Sequence, residues 1–217
     1  MAPVAVEPAK LVDFGQQSLL ISACAIAFNP LFWKGAAPMF FSIVARREYR
    51  THFLTKAFGG NAQTACYALA ATIFSLGLFR DFLYERALRA QPSHPLLANE
   101  PAVQWFAYGL LATGNVLVVS STWALGITGT FLGDYFGILM DSMVTGFPFS
   151  VTDAPMYWGS ACSFLGTALL YGKPAGLLLT VWVYVVYKVA LAYENPFTAE
   201  IYAKRERRRA LAGKKSR

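Results

Sequence analysis

Residues 103–125 read VQWFAYGLLATGNVLVVSSTWAL, a run rich in Val and Leu with no Asp, Glu, Lys, Arg or His. As an α-helix it extends about 35 Å at 1.5 Å per residue, enough to cross the roughly 30 Å hydrocarbon core of a bilayer. In lipid a helix satisfies its backbone N–H and C=O groups internally, so such a run specifies a membrane-spanning helix and sets the fold class. Of 217 residues 56% are hydrophobic and only 14% charged, with mean hydropathy +0.41, whereas about 25% charge is usual in a soluble domain. The chain is expected to be one all-α, polytopic transmembrane bundle over residues 1–217, with no separate soluble catalytic domain.

Four further apolar stretches flank this run. Phe14 to Trp33 is about 20 residues long and is broken near its end by Asn29 and Pro30; Ala62 to Tyr84 is a second span. Met156 to Tyr171 and Ala175 to Tyr193 are separated only by Gly172, Lys173 and Pro174. Proline ends a helix there, which predicts a tight helical hairpin instead of one long span. The expectation is four to five membrane-embedded helices.

Basic residues mark the cytosolic side of short loops. From Lys204 to Arg217 the tail holds eight Lys or Arg against one acid, Glu206, so residues 203–217 read as a basic cytosolic tail. Counting back through five spans puts residues 34–61, with Lys34, Arg46, Arg47, Arg50 and Lys56, on the same side and the N-terminus in the lumen. A competing count makes the first stretch a non-spanning embedded helix and merges the last two, moving the 34–61 loop to the lumen. The start, MAPVAVEPAKLVDF, lacks the basic, apolar and small-residue order of a cleaved signal. Lys214 and Lys215, fourth and third from the end, look like a dilysine address for retention in the endoplasmic reticulum, read by a receptor.

Several chemistries are disfavoured. The two histidines, His52 and His94, lie far apart, so a histidine-based metal centre or a Ser-His-Asp relay has nothing to build on. Cys24, Cys66 and Cys162 are odd in number and set in apolar stretches, which suits small core residues and not disulfides or metal ligation. No P-loop pattern occurs. The basic tail lacks interleaved aromatics, so membrane-surface electrostatics explains it better than nucleic acid does. The sequence leaves a homo-oligomer open. Polar residues at membrane depth are costly and so mark function. They gather in GITGTFLGDYFGILMDSMVTGFPFSVTDAPMYWGS (Gly126 to Ser160), which holds Asp134, Asp141 and Asp153 but no Lys or Arg, and at Glu194 and Glu200 after the last span.

The stretches AFNPLFW (Ala27 to Trp33), VARREY (Val44 to Tyr49), GTFLGDYFGIL (Gly129 to Leu139), DAPMYWGS (Asp153 to Ser160) and ENPFTAEIY (Glu194 to Tyr202) resemble the phospholipid methyltransferases of phosphatidylcholine synthesis. The resemblance covers about Phe14 to Tyr202 and looks like the short form, which takes phosphatidylethanolamine or phosphatidyl-N-methylethanolamine. It implies S-adenosylmethionine as cofactor and a phospholipid in the bilayer as substrate. In that family a Gly-x-Gly in the third apolar segment and a Glu-Glu pair before Pro-Phe-Thr-Ala-Glu are assigned to the cofactor. Here they fall on Ala112-Thr113-Gly114 and Glu194-Asn195, with alanine for the first glycine and an amide for the second carboxylate. Residues Lys34 to Ile43 are an insertion relative to the family. An isoprenylcysteine carboxyl methyltransferase would place a His-Pro pair where this chain has Ala154-Pro155, and a small transporter would show repeated half-structures, which the sequence lacks.

The implied reaction moves a sulfonium methyl to a headgroup nitrogen. With a pKa near that of lysine, about one amine in a thousand is neutral at pH 7, and only that form is nucleophilic. Glu200 or Asp134 is a candidate proton acceptor if partial burial raises its pKa; the alternative is that these acids only attract the cationic sulfonium and amine. Tyr135, Tyr157 and Trp158 are expected either to face the methylated cation or to belong to an interfacial aromatic belt.

Overall fold

The computed structural model describes the backbone of residues 10–34 and 44–215; side chains are described there except at positions 31, 33, 34, 46, 193–195, 197, 198, 208–210 and 212–215. Apart from the Lys34 backbone, the Lys34 to Ile43 insertion lies outside the described residues. The described chain is helical: α1 (Gln17–Lys34), α2 (Val44–Thr51), α3 (Phe53–Ala57), α4 (Ala62–Ala90), α5 (Pro95–Ala98), α6 (Pro101–Thr130), a 3₁₀ turn (Gly133–Phe136), α7 (Pro155–Leu170) and α8 (Pro174–Lys215). Ala62–Ala90, Pro101–Phe136 and Pro174–Ala192 are long and apolar enough to cross a membrane, and Gln17–Pro30 is a shorter apolar helix. Trp123 is 89% exposed on the outer surface of α6. The helical membrane bundle expected from the sequence is thus the fold.

Five long helices, α1, α4, α6, α7 and α8, run alternately between two ends of the bundle. At one end the Asp13 N–H donates to Gln91 Oε1 (2.8 Å) and Gln91 Nε2 returns a bond to the Asp13 carbonyl (2.9 Å). Lys173 Nζ donates there to the Gln91 carbonyl (2.6 Å) and to Ser93 Oγ (2.8 Å). The opposite end carries α2, α3, the 3₁₀ turn and the segment leading to α7; we call it the loop end.

The predicted break between α7 and α8 is present, and the third apolar stretch ends at its expected boundary: in α6, Gly126 leaves helical geometry (φ 65°, ψ 178°) directly after Leu125. After α7, Gly172 takes φ +61°, and its N–H donates to Leu169 O (2.9 Å) while Lys173 N–H donates to Ala168 O (3.1 Å). That pair of bonds is a Schellman cap, so α7 and α8 are separate helices. The break predicted at Asn29 and Pro30 is absent: helix α1 runs through Pro30 to Lys34, and α8 likewise runs through Pro196 to Lys215. A proline removes one helical hydrogen bond but does not forbid the helix when packing or a long flanking helix holds both sides. The basic tail is accordingly a continuation of α8.

Helices α6 and α7 meet along a seam of small residues, which permits close backbone approach without a hydrophobic drive between helices. A Cβ on Gly114 would stand 2.5 Å from Ser163 Oγ and 2.6 Å from Gly159 O, and one on Gly166 would stand 2.9 Å from Ala107 O. The main core joins Leu19 and Ile26 of α1, Tyr84 and Leu88 of α4, Phe164 of α7 and Leu179, Val183 and Tyr187 of α8. A second core at the loop end packs Ala45, Cys66, Leu69, Leu132, Tyr135 and Phe136. Of the three cysteines expected in the core, Cys66 is buried and Cys162 half-buried, but Cys24 is exposed, since it falls on the outer side of α1.

Candidate active site: two cavities that share a tyrosine pair

Two cavities adjoin inside the bundle. The larger, about 810 Å³, lies among α1, α4, α6, α7 and α8, and its lining includes Asn29, Phe74, Leu78, Arg80, Asn115, Ser160 and Phe164. The smaller, about 490 Å³, lies between the start of α7 and the 184–196 stretch of α8, with Asp153, Trp158, Tyr184, Lys188, Ala192 and Pro196 in its wall. Both sizes suit small-molecule or lipid ligands. Tyr157 and Tyr187 line both cavities. Their rings meet edge to face, 4.9 Å between centroids at 82°.

The seam of small residues sets the depth of this junction. Gly159 sits between the levels of Gly114 and Val118 of α6, and Pro155 precedes it by one turn. Helix α7 therefore starts about six residues, or about 9 Å, short of the Gly126 break. The smaller cavity consequently dips into the bundle from the loop end.

Ala112 and Thr113 are exposed on α6, whereas Gly114 is buried against α7; none of the three lines either cavity. The backbone of Glu194 and Asn195 lies in α8 between Ala192 and Pro196 of the smaller cavity; their side chains lie outside the described residues. Asp153 is exposed within that cavity's wall. Asp134 accepts the Tyr135 N–H (3.1 Å) in the 3₁₀ turn and lines neither cavity. Arg205 binds the Met140 carbonyl and, at 3.3 Å, that of Asp141, so the glycine-rich segment is fastened to α8.

Two expectations are corrected. Glu200 is exposed and paired with Lys204 Nζ at 2.7 Å. The hydrogen bond from that ammonium, and then its charge, hold the carboxyl below the usual range, opposite to what a proton acceptor at neutral pH needs. Tyr135, 1% exposed, is part of the second core, because the 3₁₀ turn points it inward; it faces neither a ligand nor an aromatic belt. Trp158 does line the smaller cavity, tilted against Tyr184 at 5.9 Å.

The sequence reading passed over Arg80 and Asp81, although ionisable residues within a span were its own signal for function. Arg80 donates through Nε (2.9 Å) and Nη2 (2.8 Å) to Asp81 and through Nη1 to the Tyr187 hydroxyl (3.1 Å). That hydroxyl shares a 2.8 Å hydrogen bond with Ser160 Oγ. Glu48 of the VARREY stretch was also unassigned. It is fully buried and accepts from the backbone N–H groups of Leu54 (2.6 Å) and Thr55 (3.2 Å), closing the open N-terminus of α3.

Comparison with known proteins gives these features a setting. The phospholipid methyltransferase family matches residues 102–205. A phosphatidyl-N-methylethanolamine N-methyltransferase of Neurospora crassa is 72% identical over 201 residues, 93% of this chain and 90% of its own length. The Saccharomyces cerevisiae protein of that name is 54% identical over 90% of each chain. A phosphatidylethanolamine N-methyltransferase of Homo sapiens is 47% identical over 88% of this chain and 91% of its own length. No solved structure matches.

Proposed function

Because this chain belongs to the phospholipid methyltransferase family, we propose that it transfers methyl groups from S-adenosylmethionine to the headgroup nitrogen of phosphatidylethanolamine derivatives, completing phosphatidylcholine. The mono- and dimethyl lipids, hence the second and third steps, are its main substrates. The observation that carries the reading is the pair of cavities meeting at Tyr157 and Tyr187, one within the apolar bundle for a lipid and one opening to the loop end for a soluble cofactor.

The residues around the smaller cavity fit that cofactor. Asp153 suits its amino group or ribose hydroxyls, Lys188 its carboxylate, and Trp158 and Tyr184 offer aromatic faces to the adenine. Glu194 and Asn195, carried on the adjoining turn of α8, complete the binding set. Ala112-Thr113-Gly114 contributes by position: Gly114 fixes the α6–α7 separation and so the placement of Tyr157 and Trp158, two and one residues before Gly159. When bound, the cofactor supplies an electrophilic methyl on a sulfonium.

The protein's share of the chemistry is alignment and desolvation. Bringing the donor methyl and the nitrogen together, in line, at the opening beside one tyrosine pair is a proximity effect. The apolar larger cavity disfavours the charged ammonium and thereby raises the neutral, nucleophilic fraction. The ring edges and faces of Tyr157 and Tyr187 favour the growing cation by about 0.5–2 kcal/mol per well-placed ring.

The loop end carries Arg47, Arg50, Lys56 and the basic α8 extension, so it faces the cytosol and the C-terminus is cytosolic. With Lys214 and Lys215 this supports residence in the endoplasmic-reticulum membrane. Purified protein given labelled S-adenosylmethionine with phosphatidylethanolamine, its monomethyl and its dimethyl derivative separately should label the last two most strongly. Absence of label in all three lipids refutes the function.

A further inference from the structure

Arg80 holds a cation inside the bundle, level with Ser160 and Phe164 of α7. Its guanidinium lies 5.0 Å over the Phe164 ring and its side chain is 14% exposed. Of its five N–H groups, three donate to Asp81 and Tyr187. One N–H on each of the two terminal nitrogens is left, at a side chain that lines the larger cavity. A charge at this depth is costly, and fastening α4 to α8 through Tyr187 needs none, since a neutral amide donates the same bond. A planar guanidinium with two donors to spare is the side chain best matched to a phosphate.

The geometry points to Arg80 as the phosphate anchor of the lipid substrate, a role that rests on the methyltransferase reading above. Asp81 and Tyr187 fix the plane of the guanidinium. Phe74, Leu78 and Phe82, spaced by one turn along α4, are exposed at the rim of the same cavity and form an apolar stripe for the acyl chains. Tyr187 touches Arg80 and also closes the wall toward the smaller cavity. A phosphodiester on Arg80 therefore sets the headgroup nitrogen, one oxygen and two carbons further on, at the Tyr157–Tyr187 junction.

The test uses labelled S-adenosylmethionine and two acceptors: phosphatidyl-N-methylethanolamine and a phosphate-free analogue, the N-methylaminoethyl ether of a diacylglycerol. Arg80→Gln is expected to raise KM for the phospholipid about ten- to a hundred-fold, the worth of a charge-assisted hydrogen-bond pair, and to collapse the preference for phospholipid over ether. Arg80→Lys should recover part of it. Equilibrium dialysis with the cofactor reports whether each variant is folded. Retained preference in Arg80→Gln, or an equal fall with both acceptors, overturns the assignment. If Arg80→Gln fails to fold, Arg80→Lys decides: a weakened phospholipid preference supports the anchor and an unchanged one overturns it. A wild-type protein that methylates neither acceptor refutes the methyltransferase reading itself.

Discussion

Replacing Gly114 with alanine tests whether the small residues of α6 act by contact with α7. The added Cβ would lie 2.6 Å from the Gly159 carbonyl oxygen, where ordinary contact begins at 3.4 Å. The difference, 3.4 − 2.6 = 0.8 Å, cannot be absorbed by a rotamer because the obstacle is backbone, so the two helices must part by about that much. Overpacking of this kind costs about 1–3 kcal/mol, and the better helix propensity of alanine returns up to about 1 kcal/mol. A net loss of up to about 2 kcal/mol is expected, read as a lower midpoint of thermal unfolding in detergent. Tyr157 and Trp158 move with α7, and a misplacement near 1 Å costs up to about a hundred-fold in turnover. Thr113→Ala, on the exposed face, should leave cofactor affinity within about twofold. The reasoning is refuted if Gly114→Ala unfolds like wild type yet loses cofactor binding, which would mean direct contact with the ligand.

Glu194→Ala should abolish cofactor binding in equilibrium dialysis while the protein still inserts into membranes; unchanged binding removes Glu194 from the set. Tyr187→Phe deletes the hydroxyl that joins Arg80 to Ser160, and kcat/KM for the phospholipid should fall about tenfold, against no change if the hydroxyl is idle. Glu48→Ala leaves the Leu54 and Thr55 N–H groups without their acceptor and should cost about 1–3 kcal/mol, with faster proteolysis within residues 51–61 as the readout. Glu200 has a depressed pKa, so it is ionised above the acidic range and cannot titrate near neutrality. Glu200→Gln should therefore leave the pH profile of kcat/KM unchanged between about pH 6 and 9, and a shifted profile would restore it as proton acceptor.

The legible parts of the fold were local. An uncharged run such as 103–125, or a Gly-Lys-Pro interruption, carries its consequence within a few residues: the helix departs from regular geometry just past Leu125, and the Gly172 cap is where the sequence puts it. Pro30 misled because its cost is borne by a helix packed on both sides of it. The site was legible only in part. Asp153, Tyr157, Trp158 and the 194–195 turn lie in segments whose composition stands out. The Arg80–Tyr187 bond joins residues 107 apart in sequence, and no periodicity announces such a pairing. Tyr135 and Glu200 were misjudged because burial and ion pairing depend on neighbours that composition does not specify.

The central claim, that a lipid cavity and a cofactor pocket meet at Tyr157 and Tyr187, is tested most directly by a structure determined with S-adenosylhomocysteine and phosphatidyl-N-methylethanolamine. The adenosyl group is expected against Trp158 and Asp153, with its sulfur directed to the tyrosine pair and the lipid in the larger cavity. Cofactor density on the outer Ala112 and Thr113 face, or at the opposite end beside Gln91 and Lys173, would contradict it.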